Sequence, residues 1–217
     1  MATTLLLVPT AFELKILRDA LASGIDLSSV RLECCGFGVI ASAARATQLI
    51  LASNPDRVIL SGISGGMNNR LQVGLAYWFS EVAAYGIGAG AGDQFLTAGE
   101  MDWPHWAAPD QPEGKNIGDV IELTPTDCPA DSHGGLLVTA CAASAHPLDV
   151  NLRLKKFPSA AGEDMEGFSV ALAGKLCGVP VEIVRGVSNH AGDRSKQNWK
   201  IQEALAAAAE LLIERLA

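Results

Sequence analysis

Charge is scarce in this chain: only 18% of its 217 residues are Asp, Glu, Lys or Arg. The balance is acidic, with a formal net charge of −8, and Lys and Arg form no cluster. Nucleic acids and anionic membrane surfaces select basic patches, so neither is an expected partner. Cysteine pairing is missing as well. Five Cys (Cys34, Cys35, Cys128, Cys141 and Cys177) are an odd number without a C-x-x-C spacing, and the adjacent Cys34 and Cys35 cannot readily bridge each other. All five read as reduced and mostly buried, which places the chain in the cytosol. The four His (His105, His133, His146, His190) show no H-x-H or H-x-x-x-H spacing, so no metal centre is expected. No G-x-S-x-G elbow is present, which disfavours a serine hydrolase of the α/β type. The N-terminal "MATTLLLVPT" has no basic region and only a short apolar run, and no later run is long enough to span a bilayer; neither a signal peptide nor a membrane segment is expected.

What the chain has is apolar residues, 49% of the total, enough at this length for one sizeable core and one domain over residues 1–217. Short apolar runs alternate with helix-period segments. "TLLLVPT" reads as a buried strand and "AFELKILRDALA" as a helix with Phe12, Ile16, Leu17 and Leu21 inward. "VRLECCGFG" is a strand into a glycine turn, and "VIASAARATQLILAS" a helix ended by Asn54–Pro55. "RVILSGISGG" reads as a strand running into a glycine-rich loop, and "GLAYWFSEVAAYG" as a strand. An irregular, Gly- and Pro-rich insert spans about 86–134, with the loop Gly86 to Asp119 expected to be a lid or specificity element. "GGLLVTACAAS" is a strand, while "LDVNLRLKKFP" and "FSVALAGKLCG" are helices, the latter stopped by Gly178. "PVEIVRGVS" is a strand, and "SKQNWKIQEALAAAAELLIERLA" a long closing helix. The alternation predicts an α/β fold: a single-domain three-layer α/β/α arrangement with a central mixed, largely parallel sheet.

In such sheets ligands sit at the carboxyl ends of strands. Six places deserve weight on that rule: Glu13, Gly36 to Gly38, Ser61 to Gly66, Ala143–Ser144, Met165–Glu166, and Ser188 to Asp193. Each has a bland reading beside the chemical one. "CGFGVIA" matches the G-x-G-x-x-A dinucleotide fingerprint, but the following strand ends in Ser and Gly rather than an acid, so a tight turn is the better reading. "GISGG" lacks the Lys of a phosphate-binding loop. Glu13 alone could be a helix-start charge. Glu166, in "GEDMEGFSVALAGKLCG", could serve only to cap the helix that follows it. Arg185, inside an apolar strand, needs a partner, and a buried ion pair is its structural reading.

Taken in order, Glu13, "SGISGG", "FPSAAGEDMEG" and "VPVEIVRGVSNHAGD" before a closing amphipathic helix resemble the nucleoside phosphorylase/nucleosidase superfamily. Within it the chain is similar to the methylthioadenosine/S-adenosylhomocysteine nucleosidases, and more so to the futalosine hydrolases. The resemblance runs over nearly the whole chain and is weakest between Gly86 and Gly134. It implies a purine nucleoside as the small-molecule partner, no organic cofactor, a homodimer or higher homo-oligomer, and cleavage of an N-glycosidic bond. Glu166 would hold the ribose diol, with Met165 against the sugar. Glu13 would orient and deprotonate water. Ser61, Gly62, Ser64 and Gly65 would line the sugar side. The backbone at Ala143 and Ser144 would meet the purine edge, and Ser188 and Asn189 its imidazole side, with Asp193 a further candidate acid. The adenine-cleaving branch carries Asp where Asn189 stands; an amide suits a 6-oxopurine instead. Phosphorylases of this fold carry an Arg before the glycine turn, where Ile59 and Leu60 stand here, so water is the expected nucleophile. Trp103 and Trp106 would wall the pocket for a nucleoside tail.

Overall fold

The computed structural model describes residues 3–107, 116–124 and 128–217. The first strand, β1 (Thr4–Val8), is buried along its whole length. Its side chains alternate between two cores: Leu5 and Leu7 enter one, Leu6 and Val8 the other. Period-two alternation in a strand that is apolar on both faces is the pattern of a sheet covered on both sides. β1 pairs in parallel with β2 (Val30–Cys34) and with β3 (Arg57–Gly66). β3 pairs in parallel with β10 (Val181–His190), which runs antiparallel to β4 (Ala76–Tyr85). β4 then pairs in parallel with β8 (His133–Ala140), and β8 with β9 (Ala160–Asp164). β9 returns to β3 in antiparallel register at Gly65–Glu163 and Gly66–Gly162. The mixed, mostly parallel sheet thus closes on itself through β3, β10, β4, β8 and β9, with β1 and β2 as an open wing.

Helices cover both faces. α1 (Ala11–Leu21) and α5 (Ile201–Leu216) lie on the core built from Leu6, Ile59, Val184, Leu205 and Leu212. α2 (Gly38–Ser53) and α4 (Gly167–Cys177) lie on the other, with Leu49, Leu60, Phe168 and Ile183. α3 (Pro147–Lys156) packs with Val138, Val150 and Phe157 in a third, smaller cluster. The α/β architecture read from the alternation of apolar runs is the one observed.

Several local expectations change. "SGISGG" is not a loop: it forms the last six residues of β3, hydrogen-bonded to β10 on one side and β9 on the other. Two-sided pairing outweighs the poor strand propensity of glycine. The closing helix begins at Ile201, because Ser195 to Lys200 take a short 3-10 turn and a loop. The buried face of α1 is Glu13, Leu17 and Leu21, and Phe12 is 57% exposed. Of the five thiols only Cys35 is buried, and Cys141 is exposed. The segment 86–134 contains a two-stranded ribbon, β5 (Gly88–Ala89) and β6 (Leu96–Thr97), and a strand β7 (Val120–Glu122) that pairs with β4; part of the expected lid, 108–115, lies outside the described residues.

Candidate active site

The strand ends open onto a cavity of about 680 Å³, within the usual range for a small-molecule site. Its wall includes Glu13 and Phe12 from the start of α1, Phe37 before α2, and Ile63, Ser64 and Gly65 from β3. Cys141 to Ala145 follow β8, Glu163 to Glu166 end β9, and Ser188 and Asn189 come from β10. Residues as far apart in the chain as Pro9 and Ile201 therefore share one hollow.

Glu13 occupies the first position of the buried stripe of α1, where the pattern of Leu17 and Leu21 would place an apolar side chain. Only 4% exposed, it accepts hydrogen bonds from the Thr10 hydroxyl at 2.5 Å and from the Ile63 backbone N–H at 2.9 Å. Gly62 lies immediately behind it. At φ +150° a Cβ there would stand 2.5 Å from Arg185 Nη1 and 2.8 Å from Glu13 Oε1, so only glycine lets the guanidinium and the carboxylate approach this closely.

The capping reading of Glu166 does not match its contacts. Glu166 stands at the N-cap position of α4 without capping it. Asp164 does that, accepting from the Gly167 N–H at 2.8 Å. Glu166 instead accepts from the Gly38 N–H, the first residue of α2, at 2.9 Å, and from Arg185 Nη2 at 3.1 Å. It borrows the positive end of a neighbouring helix, and Gly38, at φ +80°, makes the turn that presents that N–H. Burial pushes the Glu166 carboxyl up to about 7, with Asp164 and Glu13 adding to the rise while Arg185 and the Gly38 N–H oppose it. The carboxylate is thus within reach of either protonation state near neutrality.

Arg185 is the fully buried cation of this cluster. It donates to Asp164 through Nε and Nη2, to Glu166 through Nη2, and to the Ser61 carbonyl through Nη1 at 3.4 Å. Thr139 completes the shell by donating to Asp164 at 2.6 Å. A second cluster lies on the β8–β9 side. Glu163 accepts from the Ser144 N–H at 2.8 Å and the Ser144 hydroxyl at 2.7 Å, and pairs with Arg153 of α3. Arg153 also donates to the Ala142 carbonyl, which ties down the loop Cys141 to Ala145.

Asn189 is aimed into the cavity by a bulge: the β3–β10 register slips between Val187 and Asn189, with Ser188 as the extra residue. Its Oδ1 accepts from the Ser188 hydroxyl at 2.7 Å, and its Nδ2 donates to the carbonyls of His190 at 2.8 Å and Asp193 at 3.4 Å. With both amide hydrogens and one Oδ1 lone pair engaged, what remains for a ligand is the second lone pair of Oδ1, an acceptor.

Of the other residues singled out from sequence, Ser64, Gly65, Ala143, Ser144, Met165 and Ser188 line the cavity. Ser61 and Gly62 stand one layer behind it, in contact with Arg185 and Glu13. Asp193 is outside the wall. Its carboxyl accepts from the Asn198 amide and the Ser195 N–H, which hold it below the usual carboxylate range and make it a poor proton donor. Trp103 is 74% exposed and Trp106 bridges to Ile117; neither lines the cavity, whose aromatic members are Phe12, Phe37 and Trp199. Sequence reasoning passed over Glu163 and Arg153, whose pairing depends on β9 and α3 meeting in space. It also passed over Arg194, just before the stretch read as the closing helix, and Lys196 within it. Among the described residues, no three His, Cys, Asp or Glu gather to hold a metal ion, and no helix is long and apolar enough to cross a membrane.

Two buried acids, Glu13 and Glu166, thus line one hollow, with Arg185 behind them and the Asn189 amide in the same wall. The chain belongs to the phosphorylase superfamily, whose profile matches residues 25–217, and within it stands with the N-glycosyl-cleaving nucleosidases. It is 32% identical over 158 residues to the futalosine hydrolase of Streptomyces coelicolor, a match covering 70% of this chain and 61% of that enzyme; the match thus spans less than two thirds of that relative's length. It is 28% identical over 209 residues to the 5'-methylthioadenosine/S-adenosylhomocysteine nucleosidase of Pseudoalteromonas translucida, covering 87% of this chain and 84% of the relative. Among solved structures, the nucleosidase of Colwellia psychrerythraea in complex with adenine superposes with a TM-score of 0.77 at 19% identity, covering 99% of this chain and 94% of that one.

Proposed function

We propose that this protein hydrolyses the N-glycosidic bond of futalosine, releasing hypoxanthine and dehypoxanthine futalosine in cytosolic menaquinone synthesis. The observation that carries the reading is that Glu13 and Glu166 line one nucleoside-sized cavity together with Asn189. As the C1′–N9 bond breaks, its electron pair leaves with the base and the ribose becomes oxocarbenium-like. Glu166 as carboxylate accepts from the ribose diol and sets negative charge beside the growing positive charge. Glu13 takes one proton from water as the water oxygen bonds to C1′. The departing base takes a proton from solvent at its imidazole nitrogen, and Asn189 Oδ1 then accepts from that N–H, while Glu13 returns to solvent the proton it took, so that one water is consumed for each bond broken. An Asp in place of Asn189 would set a carboxyl oxygen against the carbonyls of His190 and Asp193. That site favours a protonated acid, the form needed to protonate adenine. An amide fits a 6-oxopurine.

Water is favoured over phosphate because the guanidinium nearest the two acids has its donors engaged by Asp164, Glu166 and the Ser61 carbonyl. A second reading, hydrolysis of methylthioadenosine or S-adenosylhomocysteine, is favoured by the longer match to the nucleosidase of that name. We place the enzyme in a homo-oligomer: Ile40 and Leu51 leave α2 with apolar side chains 84% and 71% exposed. Base release from futalosine, methylthioadenosine and S-adenosylhomocysteine, each with and without phosphate, tests the reading. Hypoxanthine from futalosine, independent of phosphate, is expected; adenine release alone, or a need for phosphate, overturns it.

A further inference from the structure

Five acids are buried among the described residues: Glu13, Glu163, Asp164, Glu166 and Glu182. Four of them meet an arginine: Glu163 meets Arg153, Asp164 and Glu166 meet Arg185, and Glu182 meets Arg215. Glu13 is the exception. Arg185 stands across Gly62 from it and directs Nη1 to the Ser61 carbonyl instead. Two neutral donors hold the Glu13 carboxylate: the Ile63 N–H on Oε1 at 2.9 Å and the Thr10 hydroxyl on Oε2 at 2.5 Å. A guanidinium in contact favours the charged form of a carboxyl more strongly than a neutral donor does. An acid that must take up a proton is better held by neutral donors.

The two donors are not equivalent. The Ile63 N–H can only donate. A hydroxyl has one hydrogen and two lone pairs, so it can donate to a carboxylate and accept from a carboxylic acid. Thr10 is also the N-cap of α1, where its oxygen accepts from the Glu13 N–H at 3.3 Å. In the sequence Thr10-Ala11-Phe12-Glu13, an ordinary capping box would return the carboxylate to the Thr10 backbone N–H. Here the carboxylate goes to the Thr10 side chain, which turns a capping pair into a clamp on the acid. Thr10 lines the same cavity as Glu13, so its hydroxyl hydrogen has open space to turn into.

We propose that Thr10 is a positioning residue for Glu13, holding it in both protonation states: its hydroxyl donates to the carboxylate before water is deprotonated and accepts from the carboxylic acid afterwards. The assignment rests on the reading of Glu13 as the base of a nucleoside-cleaving site. As the water O–H bond breaks, a new O–H bond forms on the Glu13 carboxyl. The Thr10 hydroxyl exchanges donor for acceptor by rotation about its own C–O bond and neither gains nor loses a proton.

Steady-state kinetics of base release separates this role from helix capping. Thr10→Val keeps the shape and removes the hydroxyl. Thr10→Gly also removes it, yet glycine caps a helix almost as well as threonine. Thr10→Ser keeps the hydroxyl. The substrate is whichever of futalosine and methylthioadenosine the unmodified protein cleaves. Both hydroxyl-free variants are expected to lower kcat about 10- to 100-fold with KM within about twofold, while Thr10→Ser stays within about threefold of the parent. Added to Glu13→Gln, Thr10→Val is expected to cost no further kcat, because the group it acts through is already gone. A kcat within about threefold of the parent in the hydroxyl-free variants, an equal loss in Thr10→Ser, or the same loss in the Glu13→Gln background overturns the proposal. Thr10→Gly decides the matter if Thr10→Val does not fold. An unmodified protein that releases base from neither nucleoside overturns the hydrolytic reading and this assignment with it; an active parent with indifferent Thr10 variants overturns the assignment alone.

Discussion

Two buried ion clusters share the cavity wall, and they are balanced differently. On the β8–β9 side one arginine, Arg153, serves one carboxylate, Glu163, which also receives the N–H and the hydroxyl of Ser144. On the β10 side one arginine, Arg185, serves two carboxylates. Asp164 takes most of it, with the Thr139 hydroxyl and the Gly167 N–H as further donors. Glu166 is left with one guanidinium contact and one N–H, and with a carboxyl pushed up to about 7 by burial. A carboxylate has room for about four hydrogen bonds. Asp164 has spent that capacity on the protein and Glu163 most of it, whereas Glu166 has kept about half. The acids that hold the fold thus differ from the acid proposed to hold the ribose by unspent acceptor capacity, not by residue type or burial.

The sharpest way to break the comparison is to neutralise each acid in turn. Glu166→Gln and Glu13→Gln should each lower kcat/KM about 10³-fold with a melting temperature near that of the parent. Glu163→Gln should instead act through stability. Steady-state kinetics beside thermal unfolding reads both. If Glu163→Gln lost catalysis as selectively as Glu166→Gln, the division between the clusters would be wrong.

Next in size is the shared cation. Arg185→Met leaves Asp164 and Glu166 buried without a counterion and should cost about 3–5 kcal/mol in urea unfolding. A change below 1 kcal/mol would mean that the two acids do not depend on Arg185.

The raised carboxyl of Glu166 supplies a pH test with a definite sign. The folded protein holds that proton up to about pH 7, against an ordinary value of 4.5. Between those values the folded state binds more protons than the unfolded, so stability falls as pH rises through this window and levels off above it. Relative to Glu166→Gln, the parent should therefore lose on the order of 3 kcal/mol between pH 4.5 and pH 8. Its kcat/KM should rise over the upper part of the same range as the diol-binding carboxylate forms. Parallel stability curves for the two proteins would contradict the assignment.

The smallest expected effect is at the base. Asn189→Asp should shift the ratio of adenine to hypoxanthine release toward adenine by about 10- to 100-fold, as one hydrogen-bonding group at a purine edge can do. An unchanged ratio would remove Asn189 from base recognition.

How far all this was legible in the sequence varies with the interaction. The layers were readable because β1, β3 and β10 are short apolar runs between helix-period segments. The six strand-end positions were readable because a mostly parallel sheet gathers those ends. "SGISGG" misled because its pairing on both sides is a long-range fact that outweighs local glycine content. The distinction between Asp164 and Glu166 was invisible, since two acids flanking Met165 look alike until the Gly167 and Gly38 N–H groups are placed. Phe12 misled in the same way: its helical phase pointed inward, but the buried stripe of α1 begins at Glu13. Lys196 and Trp199 were hidden by an amphipathic pattern that extended the last helix six residues too early.

The most direct test is a crystal of the Glu13→Gln protein soaked with inosine. The account predicts both ribose hydroxyls within about 2.6–3.2 Å of the Glu166 carboxylate, the side chain at position 13 facing C1′, and the purine edge beside Asn189. A nucleoside bound with its diol on Glu163, or outside this cavity altogether, would contradict it.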